Sequence, residues 1–202
     1  MKNFSKKPHG RRDDEARENR HVRQLAAASP ERTEVPARNE DDLIEHLAAY
    51  KTPLILILDC IQDVHNLGAI LRTCDAAGVA AVIAPKDKSA SITETVRRVS
   101  TGAADWVPFF QVTNLARCME KLKEIGVWIV GTSDRATKSL YQIDLKGPIA
   151  LVLGAEGKGM RRLTEENCDF LCKLPMAGKV ECLNVSVATG ICLYEAVRQR
   201  ES

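Results

Sequence analysis

The sequence predicts an α/β fold, a mostly parallel sheet with helices on both faces. Two observations predict it. Apolar runs such as "PLILILD" (53–59) and "PIALVLG" (148–154) are unbroken rather than alternating, as strands buried on both faces require. Between such runs lie helical patterns that stop at glycines, as at Gly78 and Gly126. Strand and helix alternate along the chain, the pattern of parallel strands joined by helical crossovers.

Taken in order, residues 1–40 are polar and charged, with Pro8, Pro30 and Pro36 interrupting any long element. They read as a basic, mostly disordered arm, with room for a short helix over 17–28, ahead of one domain over 41–202. Asn39-Glu40-Asp41-Asp42 offers a helix start, and Leu43, Ile44, Leu47 and Ala48 form its apolar stripe. Strand 53–59, helix 66–78, strand 79–85 and helix 91–100 follow. A short strand is expected near 106–110, then helix 113–126, strand 127–133 and strand 148–154. A short helix at 161–168, a strand at 169–175 and a long helix over 183–199 complete the chain.

Composition excludes several classes. No apolar run approaches the roughly 18 residues of a membrane span, and no apolar stretch follows Met1-Lys2-Asn3-Phe4-Ser5-Lys6-Lys7 as a signal peptide requires. A cytoplasmic protein with no membrane association is expected. Seven cysteines, none in a C-x-x-C, read as reduced, buried thiols. His9, His21, His46 and His65 do not pair with them at ligand spacing, so no metal site is expected. Residues 1–24 hold eight basic against four acidic side chains, which makes an anionic partner such as RNA one reading and a solvated tail the other.

In an open parallel sheet, ligands bind beyond the carboxyl ends of the strands. Strand 53–59 leads to Asn66 and, further along its helix, Arg72. Strand 127–133 ends at Thr132-Ser133. Strand 148–154 ends in Gly154-Ala155-Glu156-Gly157-Lys158-Gly159. Strand 169–175 leads through Met176 towards Leu183-Asn184-Val185-Ser186. The glycine spacing fits neither a dinucleotide fingerprint nor a P-loop, and no G-x-S-x-G elbow occurs. Each polar residue has an ordinary alternative. Asn66 could cap the helix from Leu67. Arg72 could pair with Asp63 or Asp75. Glu156 could be an exposed loop acid, and Asn184 and Ser186 could cap the last helix. Their joint position at strand ends of one sheet favours a pocket over those alternatives.

Three segments, "DVHNLGAILRTCDAAGV" (63–79), "LVLGAEGKGM" (151–160) and "LPMAGKVECLNVSVATG" (174–190), together resemble the SpoU family of SPOUT RNA methyltransferases. The resemblance covers about residues 42–199. It is greatest to members that methylate a guanosine ribose in large-subunit ribosomal RNA. It implies a deep trefoil knot in the C-terminal part of the domain, a homodimer involving the last helix, and S-adenosylmethionine as cofactor. Cofactor-binding positions fall on Thr132, Gly154, Glu156, Gly157, Leu174, Met176 and Leu183. Catalytic positions fall on Asn66, Arg72, Glu156, Asn184 and Ser186. Arg72, proposed as the base in this family, is more easily a phosphate-binding group, because a guanidinium stays protonated.

The chain departs from the family pattern at Cys60, where Gly is common, and at Cys182, where Ser is common. Both are small, and little consequence is expected. Residues 1–40 are too short and polar for the separate N-terminal RNA-binding domain usual in ribosomal RNA members. A transfer-RNA guanosine 2′-O-methyltransferase and a catalytically silent RNA-binding assembly factor therefore stand as alternatives.

Overall fold

A computed structural model of the chain describes residues 41–201. The arm over 1–40, with its expected helix at 17–28, lies outside the described residues. The elements in order are α1 (Asp41–Leu47), β1 (Leu54–Asp59), α2 (Val64–Ala76), β2 (Ala81–Pro85), α3 (Glu94–Val99), β3 (Phe109–Val112) and α4 (Leu115–Glu124). Then come β4 (Trp128–Thr132), β5 (Lys138–Ser139), β6 (Ile149–Gly154), α5 (Arg162–Glu166), β7 (Phe170–Lys173) and α6 (Val185–Glu201). The seven strands form one sheet in the order β3-β2-β1-β6-β4-β7-β5. Every pairing is parallel.

Burial explains the unbroken apolar runs. In β1, Leu54, Leu56 and Leu58 enter a core on one face, against Leu67, Ile70 and Leu71 of α2 and Leu193 of α6. Ile55 and Ile57 enter the other, against Leu43 and Leu47 of α1 and Leu115, Met119 and Leu122 of α4. The two-residue period of a strand thus feeds two cores at once, and any polar residue in the run would be buried unpaired.

Several expectations are corrected in detail. The strand expected near 106–110 begins at Phe109, and Trp106 is exposed. The two-residue β5 carries no sequence signal, being too short for a period to register. In the first helix, Ala48 is exposed and lies past the end of α1. Helix α2 begins at Val64, two residues early, because the Asp63 side chain accepts a hydrogen bond from Asn66 N at 2.8 Å and so serves as the N-cap. Asn66 is therefore not the cap. The thiols are free, with Cys74, Cys118, Cys172 and Cys192 buried. Burial pushes the Cys168 thiol up to about 12 and Cys172 up to about 11, keeping both protonated. Cys182 is exposed, contrary to expectation.

Cys60 is also corrected. Its backbone sits at φ +65°, the left-handed region that disfavours any side chain. What makes Gly common there is conformation, so a small side chain is no substitute. Cys60→Gly is expected to stabilise the fold by about 0.5–1 kcal/mol, after the extra chain entropy that Gly loses. Differential scanning calorimetry reads this as a rise in Tm of roughly 1–4 °C. A fall instead would mean that the 3.5 Å contact of Cys60 Sγ with Asp59 Oδ1 outweighs the strain.

Candidate active site

The carboxyl edge of the sheet gathers the polar loops. In register, Asp59 of β1 stands opposite Gly154 of β6, while Gly131 and Thr132 of β4 stand beside Val152 of β6 and Cys172 of β7. The ends of four adjacent strands thus open on one region. One cavity of about 210 Å³ lies elsewhere, between Ile44, Leu47, Tyr50, Pro53 and Pro148 beside the amino end of β1.

Beyond β6 the chain turns back at once. Ala155 N donates to Gly159 O at 3.1 Å and Gly159 N to Ala155 O at 2.8 Å, closing a tight hairpin over 155–159. Gly157 at φ +72° makes its tip. A Cβ on Gly154 would overlap the Gly159 carbonyl and Met160 N, so the hairpin lies flat on the strand end only because residue 154 has no side chain. This geometry presents Glu156 to the neighbouring loops.

Glu156 is the hub of the site. Its Oε1 accepts from Asn66 Nδ2 at 3.3 Å, from Asn184 Nδ2 at 2.7 Å and from Val185 N at 3.1 Å. Asn184 Nδ2 also donates to Asn66 Oδ1 at 2.9 Å. Asn184 Oδ1 accepts from Ser186 N at 2.9 Å and Ser186 Oγ at 2.6 Å, which makes Asn184 the cap of α6 as well as a member of the cluster. The Ser186 hydroxyl spends its one proton on Asn184, so its remaining capacity is as an acceptor. Four of the five positions to which the resemblance assigns catalysis, Asn66, Glu156, Asn184 and Ser186, are thereby joined into one network.

Arg72 stands outside it. Six residues after Asn66, it projects about 120° away around α2. The face that carries Asn66 also carries Thr73, which lies 3.8 Å from where a Cβ on Gly190 of α6 would be. Arg72 is exposed and makes no hydrogen bond or ion pair among the described residues, so the alternative pairing with Asp63 or Asp75 does not form. Its neighbour in the motif, Gly68, is explained by packing. A Cβ there would sit 2.6 Å from Val99 Cβ, so glycine lets α2 approach α3.

The positions assigned to a cofactor lie at the ends of β4, β6 and β7 and in the loops that follow them. Thr132 Oγ1 donates to Val152 O at 3.1 Å, which ties the ends of β4 and β6. Leu174 follows β7 and is partly buried against the core, as is Ile191 of α6. Met176 and Val180 in the same loop are large apolar side chains left exposed. A cofactor with an apolar ring fits such a rim, with backbone groups at three strand ends to fix its polar edge. Two groups escaped sequence reasoning. Asp63 was detectable from its Asx-to-N3 spacing. The Asp59–Arg161 pair, at 2.7 Å across 102 residues, carries no local signal. Among the described residues no cluster suits a metal ion, and no helix is long and apolar enough to cross a membrane.

A family model and several known proteins match the chain. The SpoU rRNA Methylase family model matches residues 53–194. The chain is 57% identical over 198 residues to the 23S rRNA (guanosine-2'-O-)-methyltransferase RlmB of Pseudomonas aeruginosa, covering 96% of this chain and 78% of that protein. The SpoU methyltransferase AviRb from Streptomyces viridochromogenes, solved in complex with AdoMet, is 28% identical with a TM-score of 0.73, over 82% of this chain and 66% of its own. The TrmH/SpoU tRNA modifying enzyme of A. aeolicus is 36% identical with a TM-score of 0.68, over 80% of this chain and 82% of its own. The matched segment runs from β1 into α6 and contains every strand end that builds the network. The chain belongs to the SpoU rRNA methylase family.

Proposed function

We propose that this chain is an S-adenosylmethionine-dependent RNA ribose 2′-O-methyltransferase acting on a guanosine of large-subunit ribosomal RNA. The observation that carries the reading is the Asn66–Glu156–Asn184–Ser186 network at the carboxyl edge of the sheet. The high identity to a 23S rRNA guanosine methyltransferase supports the ribosomal substrate, and the AdoMet complex of AviRb supports the cofactor. Residues 41–202 are taken as the catalytic domain, preceded by the basic arm over 1–40. The C-terminal segment is proposed to thread the family's trefoil knot. Exposed Val187 and Tyr194, seven residues apart on one face of α6, support a homodimer, which sedimentation velocity tests. A cytoplasmic location follows from the ribosomal substrate.

S-adenosylmethionine, held by Thr132, Gly154, Gly157, Leu174, Met176 and Leu183, supplies an electrophilic methyl group when bound. This chain's own residues orient the ribose and handle its proton. Ser186 Oγ accepts from the 2′-hydroxyl, which fixes the direction of the oxygen lone pairs. Asn184 holds Ser186 in that role. Glu156 is no proton acceptor at Oε1, where three N–H groups already converge, and acts instead by positioning Asn66 and Asn184. Arg72, on a different face of α2 from Asn66, binds the adjoining phosphate, and the 2′-hydroxyl proton leaves to solvent. Arg72→Lys keeps the charge and loses the planar fork, so turnover falls by about 10-fold or more. Full turnover in that variant would remove the guanidinium from the reaction.

The test is methyl transfer from labelled S-adenosylmethionine to unmodified 23S ribosomal RNA and, separately, to unmodified transfer RNA, with the labelled ribose mapped. Label at a 2′-oxygen of a ribosomal guanosine is expected. Label in transfer RNA alone would keep the chemistry and replace the substrate. Cofactor binding with label in neither would support a silent assembly factor.

A further inference from the structure

The loops bearing Asn66 and Glu156 are tied together by a second device. Asp59, the last residue of β1, is fully buried at the carboxyl edge, directly opposite Gly154 in register. Its Oδ2 accepts from Arg161 N at 2.7 Å and its Oδ1 from Arg161 Nε at 2.7 Å, with Cys60 Sγ donating to Oδ1 at 3.5 Å. Asp59 opens the loop that leads to Asn66. Arg161 lies two residues past the 155–159 hairpin that carries Glu156 and is the N-cap residue of α5. One carboxylate therefore spans from the strand beneath the hairpin to its far end. Both oxygens are engaged, and the Arg161 side chain, 48% exposed, lies between Asp59 and solvent.

We infer that Asp59 and Arg161 are positioning residues for methyl transfer, an ion-paired clasp that sets the distance between Glu156 and Asn66. This rests on the functional reading above. The physical argument is selectivity. A buried carboxylate with a backbone N–H and a guanidinium on separate oxygens has one favourable placement, so the hairpin is held in register with β1. The hairpin's own two backbone hydrogen bonds fix its shape. They do not fix its placement relative to Asn66. The Asn66 Nδ2 to Glu156 bond, at 3.3 Å, is the longest of the three that Glu156 Oε1 accepts, so it is the first to break if the hairpin drifts.

The test uses the full chain with Asp59→Asn, Arg161→Ala and Arg161→Lys. In Asp59→Asn, amide hydrogen exchange at Val185, whose N–H donates to Glu156 Oε1 and so reports the hairpin's placement, is expected to rise about 10-fold or more, before any substrate is added. Methyl transfer is expected to lose about 10-fold or more in kcat, with KM for RNA within about 3-fold of wild type. Arg161→Lys should recover part of what Arg161→Ala loses. In a Glu156→Ala background, Asp59→Asn should add no further loss, because the clasp acts through that hairpin. An unchanged kcat with only a lower Tm would overturn the inference, as would losses that multiply in the double variant. If Asp59→Asn fails to fold, Arg161→Ala, which keeps the backbone bond, carries the same measurements. Absence of transfer by the wild-type chain would overturn the functional reading instead, while the exchange rates would still decide whether the clasp holds the hairpin.

Discussion

Glu156→Ala is expected to lose methyl transfer by on the order of 100-fold, the scale of a small misplacement of reacting groups, whereas Glu156→Gln loses about 10-fold or less. The difference follows from what Oε1 does. It accepts from Asn66 Nδ2, Asn184 Nδ2 and Val185 N together. Alanine removes the acceptor and leaves Asn66 Nδ2 and Val185 N without a partner, with Asn184 Nδ2 keeping only its bond to Asn66 Oδ1, so Asn66 and Asn184 lose their shared anchor. Glutamine can present its carbonyl oxygen to the same donors. It sacrifices only the charge assistance, which is about half the strength of such bonds. A proton-accepting Glu156 makes the opposite prediction, since glutamine cannot take a proton and would be as inactive as alanine. Single-turnover rates at saturating RNA separate the two. Equal losses in both variants would return Glu156 to the role of a base.

Gly154→Ala is expected to be the most damaging single methyl group in the site. The added Cβ meets backbone, namely the Gly159 carbonyl and Met160 N, with no flexible side chain to yield. Either the hairpin lifts from β6 or the strand end bends. The loss should reach about 3 kcal/mol or more, at the upper end of overpacking costs. Thermal unfolding would show this as a fall in Tm of roughly 6–12 °C. Methyl transfer should fail even well below Tm, because the displaced hairpin carries Glu156. Gly147→Ala is the control. A Cβ there has nothing within 4 Å, so stability should stay within about 0.5 kcal/mol. A Gly154→Ala chain with wild-type stability and turnover would show that the hairpin can move without consequence, and would weaken the role assigned to Glu156 as well.

The sequence by itself determined the α/β class, nearly every element and the identity of the site's polar residues. Unbroken runs such as 53–59 and 148–154 are legible because burial on both faces admits no polar residue, and that constraint is local. The last helix is legible for the same reason, since its period and its Asn184 cap lie within a few residues of each other. The motif residues were legible through resemblance, and their joint position at strand ends through the rule that loops there bind ligands.

Tertiary structure alone decided the rest. The strand order β3-β2-β1-β6-β4-β7-β5 places the ends of β1 and β6 side by side, and no local period encodes that adjacency. The network joins Asn66 to Glu156 across 90 residues and to Asn184 across 118, which only those strand neighbours make possible. Capping of α2 by Asp63 is local, and it leaves the Asn66 side chain free to join that network. Tertiary structure also made Gly154 a contact requirement, and set Asp59 against Arg161. Periodicity and capping are settled by backbone geometry within a turn or two. Which loops meet is settled by how the sheet is ordered, and in this protein the chemistry is placed where they meet.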